Sequence, residues 1–140
     1  MNSEEFKKDL KKEFNVDSVC IYNPLNTNEI KKNAKKRGKK IFKSNNKIKI
    51  LNIGRFTEQK DQLTFLKALN FIKKKIKFEA CIVGKGILKE KLKNYIEKNN
   101  LKKSVKIINF TNNPYPFIKQ ANLFVLLSLI HISEPTRQIR

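Results

Sequence analysis

Acidic residues are scarce: 12 Asp and Glu stand against 32 Lys and Arg, a net charge of +20. Arginine is nearly missing from that excess. It occurs only at Arg37, Arg55, Arg137 and Arg140, so 32 − 4 leaves 28 lysines. A protein that reads nucleic acid draws on arginine for bidentate contacts to bases and phosphates, so a charge carried by lysine argues against a nucleic-acid partner. Lys, Asn and Ile abound together, as a very AT-rich coding sequence would give. Most of the charge reads as a solvated, compositionally biased surface. Its other uses are drawing in anionic substrates and peripheral contact with an anionic membrane face. Histidine occurs once, at His131, and no Ser/His/Asp constellation accompanies it, which excludes a hydrolase triad. Cys20 and Cys81 lie far apart in apolar runs, without CxxC or metal-ligand spacing. They are expected to be buried free thiols of a reducing cytosol, and no metal centre is expected. The longest apolar run, Leu123 to Ile130, is too short to cross a bilayer, and the charged stretch Met1 to Lys12 has no apolar core of a signal peptide.

What is present is an alternation. Residues 3 to 14 pattern as a charged helix with Phe6, Leu10 and Phe14 on one face. Val19 to Tyr22 reads as a short strand stopped by a turn at Asn23-Pro24. Thr27 to Lys36 reads as a helix capped by Thr27, and the basic stretch Lys31 to Ser44 as a mobile, solvated loop. From residue 47 the pattern is regular. Strands are expected at Ile48 to Ile53, Phe78 to Val83, Val105 to Phe110 and Leu123 to Leu127. Helices are expected at Asp61 to Lys75, with Leu63, Phe65, Leu66, Leu69, Ile72 and Ile76 inward, at Ile87 to Lys98, with Leu88, Leu92, Tyr95 and Ile96 inward, and at Tyr115 to Lys119. Alternating strands and helices predict an α/β fold with a parallel, doubly wound, Rossmann-like sheet, covered on both faces and binding ligands at the strands' carboxyl ends.

Two segments fall at those ends. After the first strand come Gly54 and Arg55, with Lys60 five residues further on and a helix starting near Asp61. A glycine admits close backbone approach. Arginine offers a planar fork of donors, lysine a mobile point charge, and the first N–H groups of the helix add partial positive charge. That is a recipe for holding an anion such as a phosphate; the alternative is a turn glycine with two surface cations. After the second strand comes Gly84-Lys85-Gly86. It lacks the third glycine of the dinucleotide fingerprint and reads as a tight strand-to-helix turn, or as a loop whose small residues admit a sugar or nucleotide. Asn112-Asn113-Pro114-Tyr115 is a turn by composition; the alternative is a segment bordering a base pocket.

Taken in order, Asn23-Pro24, Gly54-Arg55 with Lys60, Ala68, Ile82-Val83-Gly84-Lys85-Gly86, Val105 to Phe110, Ala121-Asn122-Leu123-Phe124-Val125 and Ser128 resemble the donor-binding half of the retaining GT-B glycosyltransferases, the group 1 family. The resemblance covers residues 17 to 128. It implies a truncated, C-terminal half of a GT-B fold. It implies binding of a nucleotide-sugar donor through Gly54, Arg55, Lys60, Gly84 and Gly86, and transfer of a hexose with retention to a glycan or lipid-linked acceptor at the inner membrane face. Arg55 and Lys60 would be the catalytic pair, stabilising negative charge on the departing nucleotide diphosphate, with no metal and no separate cofactor. Relatives often carry glycine in the segment matching Phe110 to Asn112, near the base. They also carry two glutamates beyond the serine; this chain has neither.

The tail accounts for that loss in the same terms. Residues from Leu127 to Arg137 resemble a translated sequencing-adapter frame, so residues 129–140 are expected to be non-native and His131 and Glu134 to have no role. Residues 1–16 are expected to be a remnant of a missing acceptor domain, residues 17–128 a partial donor domain, and the fragment by itself inactive. The residues alone leave two other readings open: a non-catalytic nucleotide- or phosphate-binding module, and a basic nucleic-acid binder. Phe and Tyr fall mostly on the apolar stripes rather than among the charges, which weighs against the second.

Overall fold

The computed structural model describes residues 4–22 and 24–129. Its elements are α1 (Glu4–Phe14), α2 (Thr27–Lys35), β1 (Ile48–Ile53), a 3-10 turn (Glu58–Lys60), α3 (Gln62–Ile72), β2 (Phe78–Gly84), α4 (Lys89–Lys98), β3 (Val105–Asn109), α5 (Tyr115–Gln120) and β4 (Leu123–Phe124). The chain forms two compact units, one up to Lys31 and one from Lys32 on.

In the first unit, α1 places Glu4 and Glu5 in its first turn and Lys11 and Lys12 in its last, which suits the helix dipole. None of its residues is buried. Val19 to Tyr22 forms no strand, contrary to the alternation, and Val19, Ile21 and Tyr22 are exposed. A strand exists only by pairing, and no second strand is present among the described residues of this unit. Asn23, half of the expected turn, lies outside the described residues. The cap of α2 is Asn26 rather than Thr27: its Oδ1 accepts the Glu29 N–H at 3.0 Å. The Asn26 amide in turn reaches the Glu29 carboxylate at 3.4 Å, closing a reciprocal cap.

The second unit is built on a fully parallel sheet in the order β3-β2-β1-β4. The chain steps outward from β1 to β2 to β3, then returns to the other side of β1 for β4. Connections of constant hand must then change face. Accordingly α3 and α4 cover one face and α5 the other. Phe65, Leu66 and Leu69 of α3 and Leu92 and Ile96 of α4 pack with Ile50, Ala80, Ile82 and Val105 of the strands. Phe117 of α5 packs with Leu51, Cys81 and Val83, the alternate residues of the same strands. The central strand β2 is buried along its whole length, as a strand covered on both faces must be.

The segment expected to be a mobile loop, Lys31 to Ser44, is instead partly docked. Ile41 and Phe42 are each 2% exposed and complete the second face beside Phe117. The Ile41 N–H donates to Gln120 Oε1 at 3.0 Å, and the Gln120 amide donates back to the Lys39 carbonyl at 3.1 Å. The Lys43 and Ser44 N–H groups donate to Glu79 Oε2 at 2.7 and 3.1 Å. Two apolar residues inside a basic stretch suffice to hold it, because α5 alone cannot cover the sheet. Burial of two such side chains contributes about 3–6 kcal/mol before entropy is subtracted.

Smaller departures have local causes. β4 is shorter than expected because the buried side chain of Asn52 takes the next place in its ladder, donating to the Val125 carbonyl at 2.8 Å. α3 ends at Ile72 and leaves Ile76 41% exposed, and α4 begins at Lys89 because the residues before it are tied to the first strand's loop, as described below. Cys81 is buried as expected, and burial pushes its thiol up to about 12, while Cys20 is only half-buried. The tail from residue 130, with His131, Glu134, Arg137 and Arg140, lies outside the described residues.

Candidate functional site

The reversal of strand order puts the end of β1 where neighbouring connections diverge to opposite faces, the usual place for a ligand in an open α/β sheet. β1 ends there in Gly54 and Arg55. The Gly54 N–H still joins the ladder, donating to the Val83 carbonyl at 3.0 Å, and the Phe56 N–H donates to the Lys85 carbonyl at 2.9 Å. Phe56 itself is fully buried in the core of the α3–α4 face. It therefore nails the loop down while Arg55, one residue before it, stays exposed.

A cleft of about 310 Å³ opens over the ends of β1, β2 and β3, lined by Ile53, Gly54, Arg55, Val83, Gly84, Lys85, Phe110 and Thr111. Of the five site residues expected from the sequence, three line it: Gly54, Arg55 and Gly84. Lys60 and Gly86 do not. Lys60 is nonetheless adjacent, since its Cγ lies 3.7 Å from the position a Cβ on Gly54 would occupy. That is an ordinary contact distance; the tighter neighbour of the Gly54 position is the Gln62 amide at 3.3 Å. Among the described residues neither Arg55 nor Lys60 is ion-paired. The acids beside them in sequence are otherwise engaged: Glu58 pairs with Lys91 at 3.4 Å, and Asp61 caps α3 by accepting the Thr64 N–H at 3.2 Å.

That cap changes one expectation. Asp61 sits in the left-handed region, φ 39° and ψ 49°, and places its own carboxylate on the start of α3. The helix N–H groups are thus partly satisfied from within, and the positive charge of the loop resides in the side chains of Arg55 and Lys60.

Gly84, which ends β2, and Gly86 two residues on serve the chain itself. A Cβ on Gly84 would lie 2.0 Å from the Gly54 carbonyl oxygen, and one on Gly86 2.4 Å from the Phe56 carbonyl oxygen. Gly86 also has φ +154°, a conformation that side chains disfavour. The Leu88 N–H donates to the Phe56 carbonyl at 3.2 Å, which delays the start of α4. Gly84-Lys85-Gly86 is therefore a joint that lets the loop after β2 lie flat on the loop after β1.

Sequence reasoning missed one residue of this joint. Gln62 is 1% exposed, and its amide donates to the Arg55 carbonyl at 2.9 Å, fixing the backbone that carries the guanidinium. A glutamine in the first turn of a helix gives no signal that it turns inward. Lys85, Phe110 and Thr111 line the cleft although they were outside the expected set. The Lys85 ammonium lies 5.0 Å above the Phe110 ring.

A larger hollow, about 520 Å³, lies beside β3 and is lined by Lys39, Lys40, Ile41, Lys43, Lys106, Ile107, Ile108 and Asn109. It holds none of the expected site residues and runs along β3 from Lys106 to Asn109 rather than across the ends of the three strands, so size does not identify the site here. There Lys106 is paired with Glu79 at 2.9 Å. No group of three or more His, Cys, Asp or Glu among the described residues is placed to hold a metal ion, and no helix among them is long and apolar enough to cross a membrane.

Comparison with known proteins bears on the family and the fold. Residues 32–136 match the family model of the glycosyl transferases group 1. A glycosyltransferase of Methanocaldococcus jannaschii is 37% identical over 95 residues, 67% of this chain and 23% of that protein. A Campylobacter jejuni N-acetylgalactosaminyltransferase acting on a diphospho-undecaprenol-linked sugar is 31% identical over 80 residues, 57% of this chain and 21% of that protein. The chain thus spans less than a quarter of the length of these relatives. Among solved structures, a Staphylococcus aureus TarM mutant in complex with fondaparinux, alpha-GlcNAc-glycerol and UDP superposes with a TM-score of 0.66 at 21% identity, covering 91% of this chain and 24% of that one. The pneumococcal O-GlcNAc transferase GtfA superposes with a TM-score of 0.65 at 12% identity, covering 91% and 25%. The α/β fold with its parallel sheet is that of part of a GT-B glycosyltransferase, and the chain belongs to the glycosyl transferases group 1 family.

Proposed function

We propose that this chain is the donor-binding part of a glycosyltransferase that moves a sugar from a nucleotide-diphosphate donor to a glycan or lipid-linked acceptor, with retention of anomeric configuration. The observation that carries the reading is the Arg55 guanidinium, without an ion pair among the described residues and exposed on a backbone fixed by Phe56 and Gln62, in a cleft at the strands' carboxyl ends. In the family the chemistry is departure of a nucleotide diphosphate. As the bond between C1 and the phosphate oxygen breaks, its electron pair goes to that oxygen. Arg55 and Lys60 supply fixed positive charge where the negative charge grows, and Gly54 lets the diphosphate approach the backbone. Gly84 and Gly86 act on the donor indirectly, by keeping that backbone in place. The UDP held in the TarM crystal structure supports a nucleoside diphosphate as ligand. The name of the Campylobacter jejuni relative supports a lipid-linked diphosphate acceptor. The charge of +20 suits peripheral contact with an anionic membrane face.

Titration calorimetry of the chain with UDP and with uridine tests this. UDP is expected to bind and uridine to bind far more weakly. Arg55→Ala is expected to weaken UDP by roughly 10- to 100-fold, the loss of one charge-assisted contact of about 1.5–3 kcal/mol. Equal affinity for UDP and uridine, or full affinity in Arg55→Ala, refutes the reading. The chain alone is expected to bind donor without transferring sugar, because the acceptor side of a GT-B site comes from a second domain. A transfer assay with several nucleotide sugars checks that, and robust turnover contradicts it.

A further inference from the structure

Resting on the donor site just proposed, we infer that Lys85 is a third binding cation for the donor's phosphates, held on the Phe110 ring until the anion arrives. Lys85 lines the same cleft as Arg55 and is exposed. Its backbone is bonded to the Arg55 loop through the Phe56 N–H, 2.9 Å from the Lys85 carbonyl, so both cations stand on one rigid joint. Among the described residues its ammonium has no carboxylate partner. Instead it lies 5.0 Å above the ring of Phe110, which is 55% exposed at the end of β3 and lines the cleft on the other side.

An exposed cation–ring contact is weak. A charge-assisted hydrogen bond to phosphate inside a cleft is stronger. An entering diphosphate therefore outcompetes the ring, and the flexible lysine stem swings from Phe110 toward Arg55 while the backbone of both stays still. Phe110 is a positioning residue in this scheme: it holds the lysine away from Arg55, whose like charge would repel it.

Inorganic pyrophosphate is the probe, because it has no ring to stack on Phe110. Calorimetry on the full chain is expected to show binding that Lys85→Ala weakens about 10-fold and Lys85→Arg largely retains. Phe110→Leu is expected to strengthen binding about 2- to 5-fold, because the lysine no longer has a ring to leave. A second readout is independent of affinity. The Lys85 side-chain methylene protons are expected to be shifted upfield by the ring in the free protein, and to lose that shift when pyrophosphate is added. Unchanged affinity in Lys85→Ala, with the upfield shift persisting in saturating pyrophosphate, overturns the inference. If Arg55→Ala alone then abolishes binding, the donor site stands without Lys85. If the wild-type chain binds neither pyrophosphate nor UDP, both fall.

Discussion

The loops after β1 and β2 are neighbours of similar composition, each with glycine beside a cation, yet they do different work. In the loop after β1 the glycine makes room for side chains: a Cβ at Gly54 would meet only the Gln62 amide at 3.3 Å and the Lys60 stem beyond it. In the loop after β2 the glycines make room for backbone, with the carbonyl oxygens of Gly54 and Phe56 at 2.0 and 2.4 Å from where their Cβ atoms would be. The glycine of the first loop admits a side chain and those of the second admit backbone, while each loop carries a cation to the cleft. A glycine next to a lysine at a strand end is therefore poor evidence of a ligand until its neighbours are known.

Substitutions at the two loops should separate these roles. Gly84→Ala and Gly86→Ala are expected to have the largest effect, about 3–5 kcal/mol of stability, from backbone overlap and, at Gly86, from an unfavourable dihedral. That lowers a thermal midpoint by on the order of 10–20 °C or more in a domain of this size. Unchanged melting of both variants by circular dichroism would show that the joint is not tight. Gly54→Ala is expected to cost less, about 1–2 kcal/mol, since the Gln62 amide it would meet at 3.3 Å, though buried and hydrogen-bonded, need give way only slightly. In UDP titrations the order reverses: Arg55→Ala removes affinity and leaves the melting curve within about 0.5 kcal/mol of wild type. A loss of stability in Arg55→Ala comparable to that of Gly84→Ala would erase the distinction.

The smallest expected effect lies on the far face. Burial pushes the Glu79 carboxyl up, but the Lys106 ammonium and the Ser44 and Lys43 N–H groups outweigh burial and hold it below the ordinary glutamate value. A lowered folded pKa gives stability that is present above the unfolded value, about 4.3, and lost as pH falls through the folded one. Thermal midpoints are expected to drop on acidification through that window, and Glu79→Gln to flatten the drop. The same pH dependence in both proteins would assign the acid sensitivity elsewhere.

Much of this was readable from residue order because the signals were local. Three strands ended where the apolar runs met Gly54, Gly84 and Phe110, within a residue of expectation, since each apolar run is bounded by a change of residue type at the strand's end. Arg55 and Gly54 reached the cleft for the same reason: a residue just past a parallel strand has nowhere else to be. What was illegible depended on distant partners. Ile41 and Phe42 sit among lysines, and only the gap left beside α5 makes them core. Val19 to Tyr22 has strand composition and no strand to pair with. Gln62 turns inward only because the Arg55 carbonyl waits for it, and the role of Gly86 is defined by Phe56, thirty positions earlier.

The most direct test of the donor site is a map of amide shifts in the isotope-labelled chain as UDP is added. The expected result is a contiguous set of perturbations at residues 54–56, 84–86 and 110–111, with residues 39–43 and 106 around the larger lysine-lined hollow unchanged. Perturbations confined to the hollow, with Gly54 and Arg55 silent, would contradict the account.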